Sequence, residues 1–273
     1  MDLVYIVKES DKNEDLRYSL RSVAKFLPNN KVWIVGYKPS WVRNVEYLPV
    51  KQNNGSKWKN SIKNIEAACK CKEISEEFVL MNDDFFAIKP IKDLKKSIDL
   101  SVGTLDVSIK KYSHMPKSNW NSAFQYVYDL LKDLNIEEPY YDYEVHAPLR
   151  INKEKYLEVM NLPKVQEFMK TSKVLHKRTL YRNIDKINPT IISSDVKLKP
   201  EKDDTKIKYK VCDWLSVYDE QVGNGYFKDL NYLLSYLFSN PCKYEDPKST
   251  KKQIITFNRS LIPVKKSHDF IHY

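Results

Sequence analysis

Residues 78–84 read Phe-Val-Leu-Met-Asn-Asp-Asp, an apolar run that ends directly in three polar side chains. An apolar run of this length predicts a β-strand. The adjacent carboxylates of Asp83 and Asp84 repel each other, and a shared divalent cation would relieve that repulsion. Such a cation could in turn hold a diphosphate. A solvated Asp-rich turn is the alternative, and the motif by itself leaves both interpretations open.

Strands and helices alternate in the chain that leads up to this stretch. Apolar runs predict strands at residues 2–7, 31–35 and 45–50. Apolar residues at helical spacing predict helices over residues 13–26 and 56–71. Elements in this order form βαβ units and a mostly parallel sheet with right-handed crossovers. Ligands of such sheets bind beyond the carboxyl ends of the strands, where Asp11 and Asn82 are expected to lie.

The second half of the sequence is less regular and more helical. Helical patterns occupy residues 119–134, 152–160, 164–172, 177–187 and 223–238. A Tyr-rich segment over residues 140–150 predicts extended chain, and the charged residues 197–210 predict an exposed loop. The sequence shows no internal repeat and no sharp domain boundary.

The composition is basic, with 46 Lys and Arg against 36 Asp and Glu and a formal net charge of +10. This excess favours a polyanionic partner such as a nucleic acid, an anionic cell-wall polymer or a membrane surface. A solvated basic surface is an equal alternative, because runs such as Lys110-Lys111 and Lys265-Lys266 are not dense.

Several classes of protein are excluded by what the sequence lacks. The first eight residues contain only a short apolar stretch, and no window approaches a membrane span, so we expect a cytoplasmic protein. The four cysteines lack zinc-site spacing, which predicts reduced, unliganded thiols. Walker A, dinucleotide-binding, hydrolase-elbow and zincin motifs do not occur, so the corresponding enzyme classes are excluded.

Asp142, Glu144 and His146 alternate with apolar residues, so an extended chain would point all three to one face. A histidine flanked by carboxylates can serve as a general base. A hydrogen-bonded structural histidine is the alternative.

Two arginines and one carboxylate in the second half of the chain are the remaining candidate site residues. Arg178 and Arg182 lie four residues apart on one face of a predicted helix, and guanidinium groups suit phosphate oxygens. An ordinary exposed helix face explains them equally well. Asp219 ends an apolar segment and could be a metal ligand or the cap of the next helix.

The blocks described so far follow one another in the order of a known family. Residues 2–5, 13–23, 31–35 and 39–41 resemble its opening strand and second block, and that block ends in a strand that carries Asn-Asp-Asp. Asn64-Ile65-Glu66 stands where the family has Ala-Ile-Glu. Downstream blocks resemble its His-x-Pro element, its Arg-bearing helix and its late strand, at residues 146–148, 178–183 and 214–219. Together they resemble the Stealth family of sugar-phosphate transferases, which includes bacterial capsule polymerases and the lysosomal-enzyme GlcNAc-1-phosphotransferase.

The resemblance implies a GT-A-like (Rossmann-like) α/β fold, with a mostly parallel sheet flanked by helices and a more helical C-terminal half. It implies one catalytic domain over residues 1–273, in which residues 1–115 bind a nucleotide sugar and residues 116–273 form the acceptor and catalytic half. It also implies a Mg²⁺ or Mn²⁺ cofactor bound by Asp83, Asp84 and Asp219.

The same resemblance implies roles for single residues. His146 would deprotonate the acceptor hydroxyl, Arg178 would pair with phosphate oxygens, and Glu66 would orient the donor or the acceptor. The donor would be a nucleotide sugar, foremost a UDP-sugar, bound by Asp11, Arg17, Asn82, Asp83 and Arg182.

The sequence leaves the reaction and the acceptor open. Either the sugar or the sugar 1-phosphate could move to a hydroxyl of a polymer, which could be a cell-surface glycan or modified phage DNA. A different class is a non-catalytic, basic nucleic-acid-binding protein on the same fold. Lysines beside tyrosines at residues 110–112 and 208–210 are the sequence support for that class, and structural tyrosines explain them equally well.

Overall fold

The structure is a computed structural model that describes residues 1–10, 13–52, 56–198, 205–217, 222 and 228–249. Within these ranges the strands are β1 (Asp2–Val7), β2 (Val32–Gly36), β3 (Glu46–Pro49), β4 (Glu77–Met81), β5 (Phe85–Ala87), β6 (Leu100–Ser101), β7 (Leu149–Asn152), β8 (Thr190–Ile191) and β9 (Trp214–Ser216). The helices are α1 (Glu14–Phe26), α2 (Lys57–Lys70), α3 (Leu94–Ser97), α4 (Leu105–Ser113), α5 (Asn119–Asp133), α6 (Lys153–Met160), α7 (Pro163–Met169), α8 (Lys177–Asp185), α9 (Thr205–Val211) and α10 (Lys228–Leu237).

The main sheet has the strand order β3-β2-β1-β4-β7. Its first four strands are parallel, and β7 runs antiparallel to β4. The register pairs Val7 with Gly36, Tyr5 with Met81, and Leu80 with Leu149. The carboxyl ends of β1, β2 and β4 therefore meet the start of β7 at one edge, hereafter the carboxyl edge. The predicted mostly parallel sheet flanked by helices is confirmed.

Side chains alternate between the two faces of this sheet, as strand geometry requires. On β4, Phe78 and Leu80 join the core that packs against α2, α5, α6 and α8, whereas Val79 and Met81 join the core that packs against α1. Both faces are thus covered by apolar helix surfaces. This burial explains why the strands read as continuous apolar runs.

A short second sheet connects the later part of the chain to the carboxyl edge. Strand β5 directly follows residues 82–84 and pairs antiparallel with β9, with Phe85 opposite Ser216. Lys197 forms a parallel bridge with the same Ser216. Residues separated by more than one hundred positions are therefore neighbours at the end of β4.

The prediction of an exposed loop over residues 197–210 is wrong in its second part, because Thr205–Val211 is helix α9. Lys208 is buried there, and its ammonium donates to the backbone oxygens of Asp195 and Lys197 at 2.6 Å each. The lysine that suggested a solvated loop is an internal link between two chain segments.

Every helix in the described ranges is too short or too polar to cross a membrane.

Candidate active site

Asp84 lies at the carboxyl edge with its side chain buried. Its Oδ2 accepts a hydrogen bond of 2.9 Å from the hydroxyl of Ser216, which the β5–β9 pairing brings opposite residue 85. Asn82 and Asp83, the preceding residues, are half-buried. The carboxylate of Asp84 is thus buried and hydrogen-bonded, and Asp83 lies nearer the surface.

His146 reaches the same edge because it lies three residues before β7. Its Nδ1 lies 3.0 Å from Oδ2 of Asp195, and its backbone N–H donates to Oδ1 of that carboxylate at 3.0 Å. Its Nε2 lies 3.0 Å from Nζ of Lys197. A lysine ammonium has only donors, so Nε2 accepts and Nδ1 carries the ring proton. The partners of the ring therefore select one neutral tautomer.

This arrangement lowers the pKa of the Asp195 carboxyl. Burial raises the pKa of its carboxyl, but hydrogen bonds and charge from His146, together with backbone N–H donors, outweigh burial and hold that pKa well below the ordinary range. The group is therefore an anion that orients the ring and can stabilise an imidazolium. A carboxylate with this role is a regular partner of a histidine general base.

Arg178 lies near both the histidine segment and residues 82–84, hereafter the acidic turn. Its guanidinium donates to the backbone oxygen of Ala147 and lies 5.8 Å from the ring centroid of Phe85. Burial lowers the pKa of this guanidinium, against the attraction of nearby carboxylates that include those of Asp195 and Asp84. The structure thus brings together Asp84, His146 and Arg178, three of the residues predicted from sequence.

Glu144 forms a further layer against the start of α8. Its Oε1 accepts a bond of 3.2 Å from the backbone N–H of Thr179. Burial raises its pKa, but the charges of His176, Arg178 and Lys177 outweigh burial and lower it. Burial also lowers the pKa of His176 to about 4 and that of Lys177 to about 8. His176 is therefore neutral near pH 7, and the charges close together at the start of α8 are those of Glu144, Lys177 and Arg178.

Asp142, Glu144 and His146 have separate partners rather than one common face. Asp142 is buried, and it accepts bonds from the hydroxyl of Ser108 at 2.6 Å and from the backbone of Glu144 at 2.9 Å. Burial raises its pKa to about 6. The segment before β7 is irregular, so its side chains do not alternate as they would on a strand.

Two other predicted arginines pair with carboxylates that are not members of this cluster. Arg17 is buried, with its Nη1 2.7 Å from Oε2 of Glu245 and its Cζ 4.0 Å from the ring centroid of Trp41. Arg182 is fully buried and pairs with two carboxylates at 2.7 and 2.8 Å, those of Asp99 and Asp185.

These buried pairs give both arginines structural partners inside the protein. Glu66 is half-buried on α2, where its electrostatic neighbours are Cys69 and Tyr156. Asp11 and Asp219 lie outside the described residues.

A divalent cation fits the donor set of the acidic turn. In the part of the chain that the structure describes, no group of three or more His, Cys, Asp or Glu side chains is arranged to hold a metal. Mg²⁺ is commonly bound by one or two protein carboxylates that are completed by substrate phosphates. Two hard oxygen ligands, from Asp83 and Asp84, meet that requirement.

Sequence reasoning missed Asp195, Lys197 and Ser216. All three contact site residues from far along the chain, at separations of 49, 51 and 132 positions. No motif surrounds them, and the pairing of β5 with β9 together with the bridge between Lys197 and Ser216 brings their segments to the carboxyl edge.

Neither a protein-family model nor a curated protein matches this chain. Among solved structures, the bifunctional glycosyltransferase WbbM aligns with a TM-score of 0.52 and 10% identity, over 88% of this chain and 50% of the WbbM chain. The galactosyltransferase LgtC, solved with donor and acceptor sugar analogs, aligns with a TM-score of 0.39 and 12% identity, over 67% of this chain and 70% of its own. The protein has the mixed α/β fold of GT-A-type glycosyltransferases. At these identities the likeness concerns the fold alone.

Proposed function

We propose that the protein is a metal-assisted transferase that moves a sugar or a sugar 1-phosphate from a nucleotide sugar to a hydroxyl acceptor. One observation carries the proposal: Asp84, Arg178 and the His146–Asp195 pair converge at the carboxyl edge. This edge is where open α/β sheets bind their ligands.

The donor diphosphate would lie against the acidic turn. Asp83 and Asp84 would hold Mg²⁺ or Mn²⁺, which would neutralise the diphosphate and stabilise the charge that develops on it. Arg178 would pair with a phosphate oxygen, and Asn82 and Asp83 would contact the donor. Asp219 is a further proposed metal ligand, and Asp11 a further donor contact.

The acceptor hydroxyl would give its proton to Nε2 of His146. Asp195 would hold the ring through Nδ1–H and stabilise the imidazolium that forms. Attack at the anomeric carbon would release a nucleoside diphosphate, and attack at phosphorus would release a nucleoside monophosphate. The acceptor half would lie in residues 116–273, and the net charge of +10 suits a polyanionic acceptor, either a glycan or DNA.

Product analysis tests this proposal directly. The protein would be incubated with labelled UDP-, GDP- and CMP-sugars in Mg²⁺ or Mn²⁺, and the released nucleotide would be identified. We expect release from one donor, and a loss on the order of a hundredfold or more in His146→Gln, the usual scale for a lost general base. Tight DNA binding without nucleotide release from any donor would instead identify a nucleic-acid-binding protein.

A further inference from the structure

Lys197 is hydrogen-bonded to Nε2 of His146, the ring nitrogen that the proposed reaction requires as a base. Its Nζ lies 3.0 Å from Nε2 of His146, and Nε2 is the acceptor in this contact because an ammonium can only donate. The ring's other nitrogen is bound to Asp195. A hydroxyl therefore has no free lone pair on His146 while Lys197 keeps this position.

The backbone of Lys197 is fixed beside the acidic turn. It bridges to Ser216, whose hydroxyl donates to Asp84, and its carbonyl accepts from the buried Lys208 at 2.6 Å. The side chain stands on a flexible four-carbon stem, so its ammonium can move while its backbone stays in place. The ammonium thus contacts the histidine from a residue whose backbone is linked through Ser216 to Asp84, one of the carboxylates proposed to bind the donor.

We propose that Lys197 is a donor-controlled cap on His146. In the free protein its ammonium occupies Nε2, and in the donor complex it turns to a phosphate oxygen and opens Nε2 to the acceptor hydroxyl. This inference rests on the proposed function. The exchange is favourable because a hydrogen bond between two charged groups is stronger than one from an ammonium to a neutral ring.

The proton balance is simple. Lys197 keeps all its protons throughout, and the acceptor proton passes to Nε2 only after the ammonium has left. The cap therefore imposes an order in which the anionic donor binds before the acceptor hydroxyl engages His146.

Nitrogen NMR of the histidine rings tests the cap without requiring turnover. The chain has 5 histidines, so selective ¹⁵N-His labelling gives a small set of signals, and His146→Gln assigns the relevant one. We expect an unprotonated, hydrogen-bonded Nε2 in the free protein. UDP with Mg²⁺ should then shift this signal downfield, towards the value of an unbonded ring nitrogen.

Variants separate the cap from a general effect of the ligand. Lys197→Met should show the downfield Nε2 signal without ligand and no further change with UDP, whereas the exposed Lys210→Met should behave like the wild type. Calorimetry on the same samples reports binding independently. If the variant is unstable, the wild-type titration alone decides.

Three results would overturn the cap. Binding of UDP with no change at Nε2, or a protonated Nε2 in the free protein, removes it while leaving the proposed function intact. No binding of UDP, GDP, CMP or pyrophosphate in the presence of Mg²⁺ would remove both the cap and the proposed function.

Discussion

Replacing Asp195 by Asn should reverse the tautomer of His146. In the wild type, Oδ1 of Asp195 accepts from the backbone of His146 at 3.0 Å and from that of Lys197 at 3.1 Å, and an amide oxygen can keep both bonds. The amide NH₂ then takes the place of Oδ2 and faces Nδ1 at 3.0 Å. Since that group donates, Nδ1 must accept and the ring proton must move to Nε2.

The displaced proton disables the ring as a base. Nε2 would carry a hydrogen and face the ammonium of Lys197 at 3.0 Å, so two donors would oppose each other. A general base contributes about 10² to 10⁴ in rate, which corresponds to about 3 to 5 kcal/mol of barrier. We therefore expect turnover to fall by a factor of about 10² to 10⁴, while affinity for the nucleotide stays close to wild type.

The assay combines three measurements on Asp195→Asn and on the exposed control Asp133→Asn. Nucleotide release from the labelled donor gives turnover, calorimetry gives donor affinity, and ring ¹⁵N shifts give the tautomer. Circular dichroism must confirm a folded variant, because a lost hydrogen bond to a charged group costs about 1.5 to 3 kcal/mol. Turnover within about threefold of wild type, or a proton retained on Nδ1, would show that Asp195 does not set the tautomer of His146.

Three further predictions concern stability. Burial lowers the pKa of His176 to about 4, so the unfolded chain gains a proton first and stability falls by up to about 3 kcal/mol as pH falls from 6.5 towards 4. Urea unfolding of His176→Phe should lose this acid dependence, and the exposed His114→Gln should keep it. Burial raises the pKa of Asp142 to about 6, so stability falls by up to about 3 kcal/mol as pH rises from 3.8 through 6. Asp142→Asn should therefore be more stable than wild type at pH 8 but not at pH 4, and a gain at both values would contradict this cause. Gly36 has φ +104° and its added Cβ would lie 2.6 Å from the oxygen of Val7, so Gly36→Ala should cost about 2 kcal/mol or more. Gly103→Ala, with φ +120° but open space around its Cβ, should lose less stability in thermal melting. Equal losses in the two variants would show that the crowding at Gly36 does not affect stability.

The local sequence pattern was sufficient to predict the main parallel sheet of the protein. The strands that end at Val7, Gly36 and Met81 were predicted because apolar runs alternate with helical spacing, and this alternation requires a parallel sheet. The same rule predicts that Asn82 to Asp84 lie at a ligand-binding edge, since the direction of parallel strands fixes which ends meet.

Sequence could not decide what each polar side chain contacts. Arg178 and Arg182 are equivalent on a helical wheel, yet the first reaches the carboxyl edge and the second pairs internally with Asp99 and Asp185. Asp195 and Lys197 gave no signal, because their contacts with His146 are made across some fifty residues by tertiary structure alone. The helix of Thr205–Val211 was missed since a buried lysine looks like a solvated one in sequence.

The most direct measurement is calorimetric titration of UDP, GDP and CMP into the protein, with Mg²⁺ or Mn²⁺ and with a chelator. We expect that one nucleotide binds only with the metal, and that Asp83→Asn and Asp84→Asn each lose this binding by tenfold or more while remaining folded. Equal affinity with and without metal, or unchanged affinity in both variants, would contradict the claim that these carboxylates hold a cation and its diphosphate.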